Sequence, residues 1–202
     1  MKQELAELVK LVEKEIEPQF KELDRICEKN SEKVLKAFQE CELQESHLTS
    51  STGYGIDEPG RNKIEEIYSK IFKAEDALVR TQLISGTHAL AVTLFGLLRP
   101  NDTMISITGA PYDTLQTVIG IGKEQSKSSL KSFNVNYEQI GLIDNDFDIK
   151  TIKERLAKKN VKLVEIQKSR GYSTRESLTI DKIEKVIKAI REVNNEVIIM
   201  VD

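Results

Sequence analysis

The sequence has few residues that could cross-link the chain or bind a soft metal ion. Of its 202 residues, two are cysteine and two are histidine, and none of the four lies at the spacing of a zinc site. Cys27 and Cys41 both lie in a segment with helical periodicity, where a disulfide framework would be out of place. We therefore expect reduced cysteines and no metal site.

The sequence also lacks an excess of positive charge and any long apolar run. The 30 Lys and Arg residues are balanced by 33 Asp and Glu, so there is no basic footprint for nucleic acid. The apolar runs, such as the one ending at Val201, are far shorter than the ~20 residues of a membrane span, and the N-terminus has no apolar signal region. We expect a cytoplasmic protein with neither nucleic acid nor membrane as a partner.

The first part of the chain has a helical pattern. Apolar residues recur at every third or fourth position over residues 4–42, with Pro18 as an interruption. The pattern predicts one or two amphipathic helices, which either grip a partner subunit or pack on their own domain. We assign residues 1–43 to an N-terminal helical arm.

The rest of the chain alternates between strand and helix patterns. The last two strand candidates are almost continuously apolar, which is typical of parallel strands covered on both faces. The pattern of residues 44–202 therefore predicts an α/β domain with a mostly parallel sheet and flanking helices. The predicted strands are residues 77–83, 103–108, 135–142, 161–166 and 197–201, and the predicted helices begin near Thr87, Tyr112, Asp148 and Thr179.

One acidic turn resembles a calcium loop in part of its spacing. Residues 144–148 have Asp at alternate positions, but Ile149 stands where Gly is required and Arg155 where the bidentate Glu would fall. We predict a polar turn, with Asp148 capping the next helix.

Three features are predicted at the carboxyl edge of this sheet. Ser85, Gly86 and Thr87 precede a helix, whose free backbone N–H groups form an anion site, although a simple N-cap is the alternative. Tyr112 begins another helix, either as a platform for a flat ligand or as a packing residue. Asp202 follows a strand that reads as central, and natural domains seldom end there, so we expect a fragment of a longer protein.

A phosphate anchor, an aromatic ring and a carboxylate together suggest a planar, phosphorylated and protonatable cofactor. The residues that carry a further resemblance are GYGIDEPGR (53–61), SGTHA (85–89), PYDT (111–114), SRGYS (169–173) and VD (201–202). In this order they resemble the aluminium-resistance or methionine gamma-lyase-like family of pyridoxal 5'-phosphate (PLP) enzymes, over essentially the whole chain. The resemblance implies a large domain of the PLP-dependent transferase type, incomplete here, with the C-terminal small domain absent.

The resemblance implies roles for individual residues. Gly86 and Thr87 would hold the cofactor phosphate, together with the Ser85 hydroxyl. His88 would face the cofactor, unless it packs at the start of the helix. Tyr112 would stack on the pyridine ring, and Asp202 would pair with the protonated ring nitrogen. Arg170 would lie near the cofactor, where it could bind a carboxylate, unless it is a solvent-facing loop residue.

In relatives of this fold class, the segment that corresponds to residues 53–61 often reaches the neighbouring subunit's site. Tyr54 and Arg61 are the corresponding candidates for a contact near the phosphate. The sequence departs from the Tyr-x-Arg arrangement of better-known lyases, because Ile56 and Glu58 occupy that stretch. A glycine-rich turn before a capped helix is the alternative interpretation.

The implied activity is β- or γ-elimination from a sulfur-containing amino acid in a homodimer or homotetramer. The family's cofactor-binding lysine follows the Asp, so we expect these 202 residues to be inactive alone. The alternatives are a non-catalytic protein of the same fold with a binding or assembly role, or an aminotransferase.

Overall fold

The computed structural model describes residues 3–54, 58–123, 126–158 and 160–202. Its residues cluster into two compact units, 1–82 and 83–202. No helix within the described ranges is long and apolar enough to cross a membrane.

The first unit is built on a single long helix. Helix α1 spans Gln3–Glu40, and Pro18 lies inside it without ending it, so the predicted one or two helices are one. A short 3-10 turn (Glu45–Leu48) leads to α2 (Pro59–Phe72). The end of α1 packs on α2 through a small apolar cluster, formed by Ala37, Cys41 and Ile67 with Leu43 and Ile71.

The strand predicted at residues 77–83 is wrong. These residues have no strand pairing, and the Val79 N–H donates instead to Glu65 Oε1 on α2, at 2.9 Å. Leu78 is 64% exposed, whereas a strand inside a covered sheet would bury such a side chain. The apolar pattern of this segment resembled a strand, but a strand also needs a neighbour for its backbone groups.

The second unit contains a four-stranded sheet in which every pair is parallel, which confirms the predicted mostly parallel sheet. The strands of this unit are β1 (Thr103–Ser106), β2 (Asn136–Gln139), β3 (Leu142–Ile143), β4 (Asp146–Phe147), β5 (Leu163–Ile166) and β6 (Ile198–Val201). The order across the four-stranded sheet is β2-β1-β5-β6. The short strands β3 and β4 form an antiparallel hairpin, so the strand predicted at residues 135–142 is divided between β2 and β3.

Helices cover both faces of this sheet, and they are α3 (Gly86–Leu97), α4 (Asp113–Ile119), α5 (Ile149–Leu156) and α6 (Ile180–Val193). Side chains alternate between the two faces along each strand. Met104 and Leu163 therefore belong to the cluster that includes residues of α3 and α4, and the adjacent Ile105 and Val164 belong to the cluster of α5 and α6. All four strand side chains are essentially inaccessible to solvent, and burying such a side chain stabilises the fold by about 1.5–3 kcal/mol.

Three of these helices begin at side-chain caps, close to their predicted starts. Ser85, Asp148 and Thr179 accept hydrogen bonds from the third backbone N–H that follows each of them. Asp144 and Asn145 have positive φ angles of 49° and 59° and form the tight turn of the β3–β4 hairpin. The predicted polar turn and the Asp148 cap are therefore confirmed.

The strand order predicts a ligand site at the carboxyl edge of the sheet. The chain leaves β1 toward β2 on one side, and it leaves β5 toward β6 on the other. A ligand crevice is expected where such connections diverge, which here lies between the ends of β1 and β5. Backbone pairing continues past the strand ends, since Ile107 N–H donates to Glu165 O at 3.0 Å and Asp202 N–H to Ile166 O at 2.9 Å.

Candidate functional site

The first turn of α3 presents free backbone donors to open space. Ser85 Oγ accepts the His88 N–H at 3.1 Å, which leaves the N–H groups of Gly86 and Thr87 without an acceptor in the described part of the chain. A Cβ placed on Gly86 would meet no atom within 4 Å. Since the helix dipole favours negative charge at this end, the turn can receive an anion.

Hydroxyl groups from two helices meet beside this turn. Thr87 Oγ1 lies 3.1 Å from Thr114 Oγ1 and 3.5 Å from the Tyr112 hydroxyl oxygen. The predicted neighbours Thr87 and Tyr112 are thus brought together, although 25 residues separate them. Thr114 was not among the predicted site residues; its hydroxyl in the first turn after Tyr112 is the signal that could have identified it.

The His88 ring faces the start of its own helix. Its Nδ1 accepts the Ile84 N–H at 3.4 Å, and the side chain is half-buried. This contact uses one ring nitrogen for local structure and leaves the other available.

Gln167 lies at the divergence of the strands and was missed by the sequence analysis. It directly follows β5 and is 6% exposed. Its Oε1 accepts the Tyr112 N–H at 2.9 Å, its Nε2 donates to Ser169 O at 3.0 Å, and its own N–H donates to Thr108 Oγ1 at 3.1 Å. A polar residue that directly follows an apolar strand is the signal that could have revealed it.

Arg175 shapes the loop that follows β5. Its guanidinium donates to Gln167 O at 2.9 Å and to Ser169 O at 2.6 Å. Partial burial lowers the pKa of this guanidinium, and the Glu165 carboxylate opposes the change. Arg170, the predicted arginine of this loop, is exposed, as is Tyr172. The arginine that organises the loop is therefore Arg175, and Arg170 extends toward solvent.

Asp202 lies at the same sheet edge, after β6. Its carbonyl oxygen accepts the Lys168 N–H at 2.7 Å, so the residue continues the pairing with the β5 segment. Its side chain is exposed, and partial desolvation of the carboxyl raises its pKa. The sheet thus places Asp202 on the same carboxyl edge as Gln167.

A buried carboxyl group lies just below this edge. Glu165 is on β5, opposite Ser106 of β1, and is inaccessible to solvent. Neither of its carboxyl oxygens has a well-formed hydrogen bond within the described residues. Burial raises the pKa of Glu165 to about 7, helped by the Asp202 charge and opposed by the Ser106 hydroxyl and by Arg175. A glutamate within an otherwise apolar strand is a signal that the sequence analysis passed over.

Tyr54 and Arg61, the two remaining predicted residues, belong to the first unit. Tyr54 is 95% exposed. Arg61 lies in the first turn of α2, and its buried Nε has no acceptor among the residues described. It lines a cavity of about 390 Å³ together with Ser46, Thr49 and Arg80. Residues 55–57 lie outside the described residues. The inferred departure from the Tyr-x-Arg arrangement, which depends in part on Ile56, therefore lies outside them too.

Known proteins similar to this chain include carbon–sulfur lyases. A protein from Clostridium acetobutylicum, provisionally described as a cystathionine beta-lyase involved in aluminum resistance, is 47% identical with a TM-score of 0.94; the match covers 99% of this chain and 48% of that one. A carbon-sulfur lyase involved in aluminum resistance from Clostridium novyi is 39% identical with a TM-score of 0.92, and the match covers 98% of this chain and 47% of that one.

Among curated proteins, the uncharacterized protein YnbB of Bacillus subtilis is 39% identical over 192 residues, or 95% of this chain and 45% of YnbB. The chain thus spans about half the length of these relatives. A family model described as methionine gamma-lyase matches residues 5–202. Because that match covers almost the whole sequence, the chain belongs to the methionine gamma-lyase family.

Proposed function

We propose that this chain forms the cofactor-binding part of a PLP-dependent carbon–sulfur lyase that acts on a sulfur-containing amino acid. The observation that carries the proposal is the open first turn of α3 beside Tyr112, at the carboxyl edge of a parallel sheet. The carbon–sulfur lyase names of similar structures support the same class of reaction.

The chemistry of the residues present fits such a cofactor. The backbone N–H groups of Gly86 and Thr87 and the hydroxyls of Ser85, Thr87 and Thr114 suit a phosphate dianion. The Tyr112 ring suits a flat aromatic ring, and the Asp202 carboxylate suits a protonated ring nitrogen. These three kinds of group are the ones that PLP requires for its phosphate, its ring and its nitrogen.

Each residue then has a defined task. When bound, PLP supplies an electron sink that stabilises negative charge on the α-carbon of an amino acid. Asp202 would hold the proton on the ring nitrogen, because a carboxylate favours the cationic form of its partner. Tyr112 would fix the plane of the ring, and the first turn of α3 would bind the phosphate. Arg170, exposed in the loop after β5, would be available to bind a substrate carboxylate.

Tyr54 and Arg61 would act across subunits. Following the family resemblance, we propose that the protein is a homodimer or homotetramer in which these two residues reach the neighbouring phosphate. The buried Nε of Arg61 has no acceptor within the part of the chain that the structure describes, which supports a role for this side chain in binding an anion.

The test uses the full-length protein titrated with PLP, followed by visible absorbance. Ser85→Ala removes a cap and a phosphate-facing hydroxyl together, whereas Thr179→Ala removes a comparable cap from α6. Both variants should lose about 0.5–2 kcal/mol of stability. We expect only Ser85→Ala to weaken PLP binding, by about tenfold, which corresponds to about 1.4 kcal/mol. Equal PLP affinities of the two variants would contradict the phosphate assignment.

The reaction class needs a separate assay. PLP-loaded protein is incubated with L-cystathionine or L-methionine, and released thiol is measured with a thiol-reactive dye. Thiol release supports the lyase. Transfer of the amino group to a 2-oxo acid without thiol release would instead identify an aminotransferase, and PLP binding without either reaction would leave a binding protein.

A further inference from the structure

We propose that Gln167 is a positioning residue that holds Tyr112 in place at the crevice and thereby sets the affinity for the ring-bearing ligand. This inference rests on the proposed function, because it assumes that Tyr112 contacts a flat cofactor.

The side-chain amide of Gln167 spans the divergence point of the sheet. One end accepts the Tyr112 N–H, 55 residues away in sequence, and the other donates to Ser169 O in its own loop. With the side chain 6% exposed, water has little access to replace these bonds. Gln167 therefore links the start of α4 directly to the loop after β5.

Tyr112 needs an external acceptor because of its place in the chain. It is the N-cap of α4, with an extended backbone (φ −61°, ψ 159°), so its N–H has no partner inside the helix. The segment before it contains Gly109, whose φ of 86° turns the chain out of β1. Gln167 holds the backbone end of Tyr112, and the Thr87 hydroxyl lies 3.5 Å from its phenol oxygen.

The contacts at the backbone N–H and at the phenol oxygen hold Tyr112 at both ends and so locate its ring at the sheet edge. If the backbone end is released, Tyr112 can move while the phosphate turn of α3 stays unchanged. The result would be a less well ordered Tyr112 ring and weaker binding of the flat ligand.

The experiment is a double-mutant cycle on PLP affinity in the full-length protein. Gln167→Met keeps the approximate shape and removes both hydrogen bonds. We expect it to raise the PLP dissociation constant about three- to tenfold, the range of one net neutral hydrogen bond. In a Tyr112→Ala background the same change should have little further effect, because the ring it positions is gone.

Three measurements keep the result specific. The visible circular dichroism of bound PLP should change in Gln167→Met, since the ring orientation changes. Gln139→Met is the control: this exposed side chain also accepts a hydrogen bond, from the Tyr137 hydroxyl, and its loss should leave PLP affinity unchanged. Gln167→Glu keeps the acceptor for the Tyr112 N–H. Its effect on the PLP dissociation constant should therefore be the same with and without the Tyr112 ring.

The outcomes separate this inference from the proposed function. Wild-type protein that does not bind PLP overturns both. PLP binding that Gln167→Met leaves unchanged overturns only the role of Gln167. An equal loss with and without the Tyr112 ring also overturns it, because Gln167 would then act on the fold rather than through Tyr112. An effect of Gln167→Glu on PLP affinity that differs with and without the Tyr112 ring would also overturn the role of Gln167.

Discussion

Replacing Glu165 by glutamine should remove a large part of the pH dependence of folding stability. The wild-type carboxyl is fully buried, and its pKa is raised from 4.5 to about 7. Because the folded state binds this proton more tightly than the unfolded state, its contribution to stability is present in full below about pH 4.5 and is lost as the pH rises to about 7.

The size of the effect follows from the same shift. A pKa unit is worth about 1.4 kcal/mol, so the change from 4.5 to about 7 corresponds to about 3 kcal/mol. Glutamine has nearly the same shape and cannot ionise. The stability of Glu165→Gln relative to wild type should therefore increase by about 3 kcal/mol between about pH 4.5 and pH 8.

The assay is urea unfolding of both proteins across this pH range. Taking the difference between the two curves removes the contribution of groups that both proteins share. Parallel curves for wild type and Glu165→Gln would refute the reasoning, because they would show that Glu165 ionises equally easily in the folded and unfolded chains.

Glu138→Gln supplies a control of opposite sign. Arg155 donates two hydrogen bonds to the Glu138 carboxylate, at 2.5 and 2.6 Å, and holds its pKa below the usual value. Its contribution is therefore present above the unfolded pKa and is lost as the pH falls through the folded pKa. Between about pH 5 and pH 8 this variant should differ from wild type by a constant offset.

Further predictions concern packing and caps, and all are checked by urea unfolding at neutral pH. Gly120→Ala should cost about 1–3 kcal/mol, because φ is 93° and the new Cβ would lie 2.5 Å from a buried serine oxygen. Gly96→Ala, in open space within α3, should instead stabilise the chain by about 0.5–1 kcal/mol; equal effects would contradict the steric argument. On α6, Ile190→Ala should cost about 2–5 kcal/mol, because the side chain is fully buried. Ile180→Ala changes a side chain that is 65% exposed and should cost less than about 0.5 kcal/mol. A loss as large as that of Ile190→Ala would contradict the assignment of the face of α6 that packs on the sheet. Asp148→Ala should cost about 0.5–2 kcal/mol, and no loss would refute its role as a cap.

Much of the α/β unit could be predicted because its signals are local. A cap acts on backbone groups three residues away, so Ser85, Asp148 and Thr179 marked helix starts correctly. The continuous apolar character of residues 161–166 and 197–201 indicated strands covered on both faces. The segment 77–83 was also predicted as a strand and formed none, because pairing depends on a neighbour.

The candidate site could be predicted only in part, for the same reason. The first turn of α3 and the position of Tyr112 followed from strand-to-helix boundaries. Nothing near Gln167 in sequence shows that its amide accepts a hydrogen bond from Tyr112. Arg170 and Arg175 lie in one loop and are the same residue type. Only the contacts made in the fold distinguish the exposed Arg170 from Arg175, which donates to three backbone carbonyl groups.

The sequence by itself determined the four helices and the parallel strands of the second unit and the kinds of group at the sheet edge, since these depend on periodicity and on caps within one helical turn. It did not show the β3–β4 hairpin. Tertiary structure decided which strands are neighbours, and therefore which distant residues meet. Gln167 became a link to Tyr112, and Glu165 acquired a raised pKa, because the order β2-β1-β5-β6 places β5 between β1 and β6. Hydrogen bonding and desolvation act over a few ångströms in space, and only the folded chain sets those distances.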